Sequence, residues 1–177
     1  MAAESGRSQG VVVLGLGNVL AGDDGVGIEV VRRLAARWGD RPEAAGVAFV
    51  DGGTFGLELL GLAAEAERLV VVDAVVLGAP PGTVTLLRDV ATPPRAGGVF
   101  SAHELGLADL VAGLRLLGRA PTMVVVAVEP ARVAGGLGLS PVVAGAVPVA
   151  CAAVEAEVGL AVEPEPALRA GRAVADA

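Results

Sequence analysis

The chain contains no lysine and no tyrosine. Its 13 basic residues are all arginine, and histidine and cysteine occur once each in 177 residues. Each scarcity closes a route. Without lysine there is no phosphate loop of the G-x-x-x-x-G-K kind, in which the lysine reaches the terminal phosphates. One histidine, His103, excludes the two-histidine H-E-x-x-H zinc site. One cysteine, Cys151, excludes an internal disulfide and fits a reducing compartment, so a cytoplasmic location is expected. Aromatics supply 2% of residues against 54% hydrophobic overall, which leaves Val, Leu, Ala and Ile to build the core. A net charge of −7 argues against nucleic acid and anionic membrane surfaces as partners.

Long charge-free stretches are also scarce. One, Val133 to Val154, invites a membrane reading, but it holds Ser140, Pro141, Pro148 and four glycines. Its hydrophobicity is modest for a span, and a packed helix preceded by a loop is expected instead, with a kink at Pro148 or a start later than Pro141. The first ten residues, MAAESGRSQG, are polar and do not read as a secretory leader.

What is present is a repeating alternation. Valine-rich runs at Val11–Leu16, Gly46–Asp51, Leu69–Asp73, Gly82–Arg88 and Thr122–Val128 suit strands covered on both faces. Helical periodicity fills most intervals: Val26, Val30, Leu34 and Trp38 within Asp24–Trp38, then Phe55–Ala66 and Leu105–Leu117. Only Val75 to Pro81 separates the third run from the fourth, too little for a crossover helix, so these two are expected to pair antiparallel. The pattern predicts an α/β fold: a twisted, mostly parallel five-stranded sheet with one antiparallel strand and helices on both faces. Residues 1–161 would form one domain. The Pro-, Ala- and charge-rich residues 162–177 would form a loosely held tail.

The chemistry concentrates in VVVLGLGNVLAGDDGVG, from Val11 to Gly27. A glycine-rich turn after a first strand usually cradles phosphate. Here Gly15 and Gly17 are followed by Leu20 where a dinucleotide fingerprint needs its third glycine, so no nucleotide cofactor is expected. Asp23 and Asp24 stand where the anion would sit; they would repel it and attract a cation. Asp23 could equally cap the helix, a role aspartate fills well. Asp73 ends the run LVVVD, which places it at the carboxyl edge of a central strand, where open α/β sheets bind ligands. His103 lies in SAHELGLADL, where Ser101 and Glu104 form a capping-box pattern and put it in a helix's first turn. The positive end of the helix dipole favours neutral imidazole, the metal-binding form. A lone histidine at a helix start is more often a satisfied surface group; the convergence with Asp24 and Asp73 is what raises it to a candidate ligand. Two carboxylates and one imidazole leave positions open for a substrate. Asp51, in VDGGTFG, either faces substrate or bonds its own turn. Removing Asp24, Asp73 or His103 is expected to cost little stability, as for surface groups.

Other readings are weaker. GRSQG, from Gly6 to Gly10, matches the serine-hydrolase G-x-S-x-G pattern but precedes the first strand instead of following one. Cys151 sits among alanines and reads as a small core residue.

At GLGNVLAGDDGVG, DGGTFGLELL, VVDAV, SAHELGLADL and VEPARVAGGLGLSP, in that order over most of residues 11–160, the chain resembles the hydrogenase maturation endopeptidases. The resemblance implies a cytoplasmic, monomeric endopeptidase. Its partner would be the large-subunit precursor of a nickel–iron hydrogenase, trimmed of a C-terminal extension once nickel is inserted. It also implies that the family's three metal-contacting positions fall on Asp24, Asp73 and His103, and that the nickel is the substrate's. Some members carry glutamate at the position of Asp24, and the shorter side chain here reaches less far. The alternative is a nickel-binding assembly factor without catalysis, which would use the same three ligands and cut nothing.

Overall fold

The computed structural model describes residues 10–54, 59–88, 110–119 and 121–160. In chain order these form β1 (Val11–Leu16), α1 (Val26–Trp38), β2 (Val47–Gly53), α2 (Leu60–Glu65), β3 (Arg68–Ala74), β4 (Val84–Arg88), the helical residues 110–116 (α3), β5 (Thr122–Val128) and α4 (Pro141–Val158). The tail read at residues 162–177 lies outside the described residues, as does the start of the helix read at Phe55.

The five strands form one sheet in the order β2-β1-β3-β5-β4. β1 runs parallel to β2 and β3, β3 parallel to β5, and β4 antiparallel to β5. Continuous apolar strands serve two cores. Val13, Val70, Val72, Val126 and Val128 face α1 and α4; Val12, Leu14, Leu69, Val71 and Val125 face α2 and α3. Helices therefore cover both faces, and valine replaces aromatic bulk throughout.

One expectation is corrected. β4 is antiparallel but does not pair with β3; β5 lies between them. The reason is burial. Met123 to Val128 of β5 are all buried and need neighbours on both sides, whereas β4 alternates between half-buried and exposed and suits the sheet's rim. A short loop limits how far a strand can travel, but Val75 to Thr83 still spans the two strand spacings, about 10 Å, from β3 past β5 to β4.

α4 begins at Pro141, where a missing N–H is harmless, with Ser140 as its N-cap accepting from Val143 N at 3.5 Å. It continues through Pro148, which lies on its exposed side, and ends at Gly159 in the left-handed region. By length and composition it could cross a membrane. In this fold Val143, Val147, Ala150 and Val154 are fully buried against the α1 side of the sheet.

Candidate active site

The β1–α1 connection sets Asp24 onto the sheet edge, and two glycines make that possible. A Cβ at Gly27 would come within 2.2 Å of the Val72 carbonyl oxygen and 2.3 Å of that of Leu16. The first turn of α1 therefore rests directly on the carboxyl ends of β1 and β3. Gly17 has φ +138°, and a Cβ there would meet the Asp24 carbonyl oxygen at 1.9 Å. These glycines serve close backbone approach.

Asp24 sits in a 3-10 turn, Asp23–Gly25, that leads into α1. It is 1% exposed, and its Oδ2 accepts from Asn18 N at 2.8 Å. Asp73, next to last in β3, is 3% exposed, and its Oδ1 accepts from Ala74 N at 2.8 Å. Because β1 and β3 are parallel neighbours, both carboxylates arrive at the same edge of the sheet. Neither is a surface charge, so the expectation that their removal costs little stability does not carry over from exposed groups.

Asp23 does not cap its own helix; Gly25 is the N-cap of α1, with no side-chain bond. Its carboxylate instead gathers the segment after β5. Oδ2 accepts from Ala131 N (3.0 Å), Arg132 N (2.9 Å) and Ser140 Oγ (3.0 Å), and Oδ1 from Ser140 N (2.6 Å). Burial alone would raise its pKa, but these bonds, led by those from the Ser140 and Arg132 amides, together outweigh it and hold the carboxyl below its ordinary value of 3.8. The same segment lies against the β1–α1 loop through Gly22 N to Gly136 O and Gly136 N to Leu20 O, both 2.9 Å.

Asp51 lies on the edge strand β2. Its Oδ2 pairs with Arg32 at 2.9 Å and its Oδ1 accepts from Gly53 N at 3.2 Å, the bond of a turn aspartate. His103 lies outside the described residues. Among the described residues no three His, Cys, Asp or Glu side chains group closely enough to hold a metal ion.

Three buried carboxylates, Glu129, Glu155 and Glu157, escaped the sequence reading, and Glu157 is paired with Arg68 and Arg88. Glu129, 6% exposed, follows β5 and accepts from Leu77 N (2.8 Å) and Gly78 N (3.3 Å) in the loop leaving β3. Glu155 accepts from Trp38 Nε1 at 2.8 Å and pairs with Arg37 at 3.1 Å. A glutamate immediately after an apolar strand, in VAVEP, is the one signal that pointed to Glu129. Cys151 is buried, and burial, followed by the nearby Glu155 charge, pushes its thiol up to about 11. It is a core residue, as the sequence suggested.

The model of the family HycI, hydrogenase maturation protease, matches residues 28–157, a span that includes Asp73 and His103 and begins after Asp24. The hydrogenase 2 maturation protease of Escherichia coli is 38% identical over 135 residues, covering 75% of this chain and 80% of its own length. The hydrogenase expression/formation protein HupD of Rhodobacter capsulatus is 39% identical over 149 residues, covering 82% and 70%. Among solved structures, the hydrogenase maturating endopeptidase HybD of E. coli superposes with a TM-score of 0.72 at 36% identity, over 84% of this chain and 93% of that one. HybD of Thermococcus kodakarensis follows the same fold, with a TM-score of 0.64 at 27% identity over 84% and 98%. With the family model spanning most of the chain, and relatives above one-third identity covering most of theirs, the chain belongs to the hydrogenase maturation proteases and is an endopeptidase.

Proposed function

We propose that this endopeptidase removes a C-terminal extension from the large-subunit precursor of a nickel–iron hydrogenase, and that Asp24, Asp73 and His103 engage the nickel the precursor already holds. Membership of the family supports the substrate class. The observation that carries the site is the arrival of two buried carboxylates at one edge of the sheet, Asp73 from β3 and Asp24 from the 3-10 turn that follows the neighbouring parallel strand β1. His103 joins them in this reading through its place in the sequence ahead of α3.

The chemistry follows from the donor set. Two carboxylates and one imidazole, with the lone cysteine buried elsewhere, make a modest nickel site, whereas the precursor's thiolates bind the ion more firmly. The enzyme then docks onto a pre-held ion, and docking both reports that insertion is complete and fixes the scissile bond for attack by water. Anchored carboxylates suit that task, since Asp24 and Asp73 each already accept a backbone N–H that restricts their rotation. The work is placed in the cytoplasm, on a monomeric enzyme.

The test is the mass of a large-subunit precursor incubated with the protein. Loss of a C-terminal peptide supports the protease reading. An intact precursor bound to the protein would instead favour an assembly factor without catalysis.

A further inference from the structure

The loop leaving β3 turns outward after Val75, which still packs against the core: Val76 is 56% exposed and Leu77 38%. Core packing therefore does not hold the residues beyond Val75, although they lie within a few positions of Asp73. The loop is held by the end of β5. Val75 N donates to Val128 O at 3.1 Å, and the next residue, Glu129, supplies both carboxylate oxygens, Oε2 to Leu77 N at 2.8 Å and Oε1 to Gly78 N at 3.3 Å. The backbone of Glu129 is itself fixed in the β4 ladder, its N–H donating to Thr83 O at 2.9 Å and its carbonyl accepting from Gly82 N at 2.8 Å. A buried carboxylate on a rigid strand end thus grips two consecutive amides of an otherwise water-facing loop. The loop in turn follows directly on Ala74, the last residue of β3, whose N–H orients the Asp73 carboxylate.

We propose that Glu129 is a positioning residue for the peptidase reaction, fixing the exit of β3 and through it the direction of Asp73. The proposal rests on the assignment of Asp73 to the site. Both carboxylate oxygens of Glu129 are taken up by loop amides, so it acts through the loop and not by contact. Two acceptor oxygens are required. A glutamine offers one, and its NH2 group would confront the second amide.

The experiment compares Glu129→Gln, Glu129→Asp and Asp73→Asn on a nickel-loaded large-subunit precursor, well below the melting transition. Both Glu129 variants should lower kcat by about tenfold or more, with KM within about twofold of the unaltered protein, the usual scale for groups that orient a ligand. Amide resonances of Ala74, Leu77 and Gly78 should shift in both, while those of α1 and α4 stay in place. If Asp73→Asn cleaves normally, the site assignment itself fails. If Asp73→Asn is inactive but both Glu129 variants keep full kcat, the site stands and the positioning role of Glu129 is overturned. Lowered melting with full kcat in the folded protein would also overturn it, leaving Glu129 a structural residue only.

Discussion

Asp23 and Ser140 meet across 117 positions of sequence, with Ser140 donating its amide at 2.6 Å and its hydroxyl at 3.0 Å to one carboxylate. Ser140 is also the N-cap of α4. One contact therefore ties the turn bearing Asp24 to the start of the core helix. Asp23→Ala removes the acceptor of three backbone amides and a hydroxyl, all in partly buried bonds. It should destabilise the protein by about 2 kcal/mol in urea unfolding, given the penalty for stranding partly buried donors.

The same carboxylate gives an acid limb. Its folded pKa is depressed, so its stabilisation is present above the unfolded value of 3.8 and is lost as pH falls through the lower folded value. Unfolding free energy should therefore decline as pH drops below about 4. Asp23→Asn should flatten that decline; an unchanged acid limb in this variant would place the titrating group elsewhere.

Gly27 tests the seating of α1 on the strand ends. Gly27→Ala puts a methyl within 2.3 Å of two carbonyl oxygens, one from β1 and one from β3. Overpacking against backbone cannot be relieved by a rotamer change, so a loss of more than about 3 kcal/mol is expected, together with loss of cleavage. A variant with normal melting would contradict the close approach.

Cys151 should be inert. Its thiol is raised to about 11, so the native protein should resist iodoacetamide at neutral pH and react only when unfolded. Because the folded value lies above the unfolded one, its contribution to stability is complete below about 9 and fades as pH rises through about 11. Cys151→Ala should keep cleavage. Labelling of the native thiol with loss of activity would replace the metal-guided reading with a cysteine nucleophile.

Much of the fold was legible because its signals are local. Valine runs with both faces covered, helical spacing between Val26 and Trp38, and a loop too short for a crossover gave five strands, their sense and the helices on both faces. The insertion of β5 between β3 and β4 was not legible, because strand order depends on which strand needs two neighbours. Asp24 and Asp73 were readable as strand-end carboxylates, but their depth was not: burial arises from Gly27 letting α1 down onto the sheet. Glu129 and the true partners of Asp23 were hidden because each bonds to amides far away in sequence. Asp51 shows both of its expected options narrowed locally, with one oxygen on its own turn and the other on Arg32.

Single removals of the three proposed ligands should act alike. Asp24→Asn, Asp73→Asn and His103→Ala should each reduce precursor cleavage by roughly a hundredfold or more, the scale for losing one preorganised group at a reacting centre. The asparagines are chosen because both carboxylates are buried, and truncation to alanine would add a packing defect. Normal processing by His103→Ala would remove histidine from the site.

The central claim is that the substrate's nickel directs cleavage. The most direct measurement is the mass of nickel-free and nickel-loaded large-subunit precursor after incubation with protein pretreated with chelator and then freed of it. The nickel-loaded form should lose its C-terminal peptide and the nickel-free form should stay intact. Equal cleavage of both would contradict the account, and so would activity lost on chelation of the enzyme and restored by zinc.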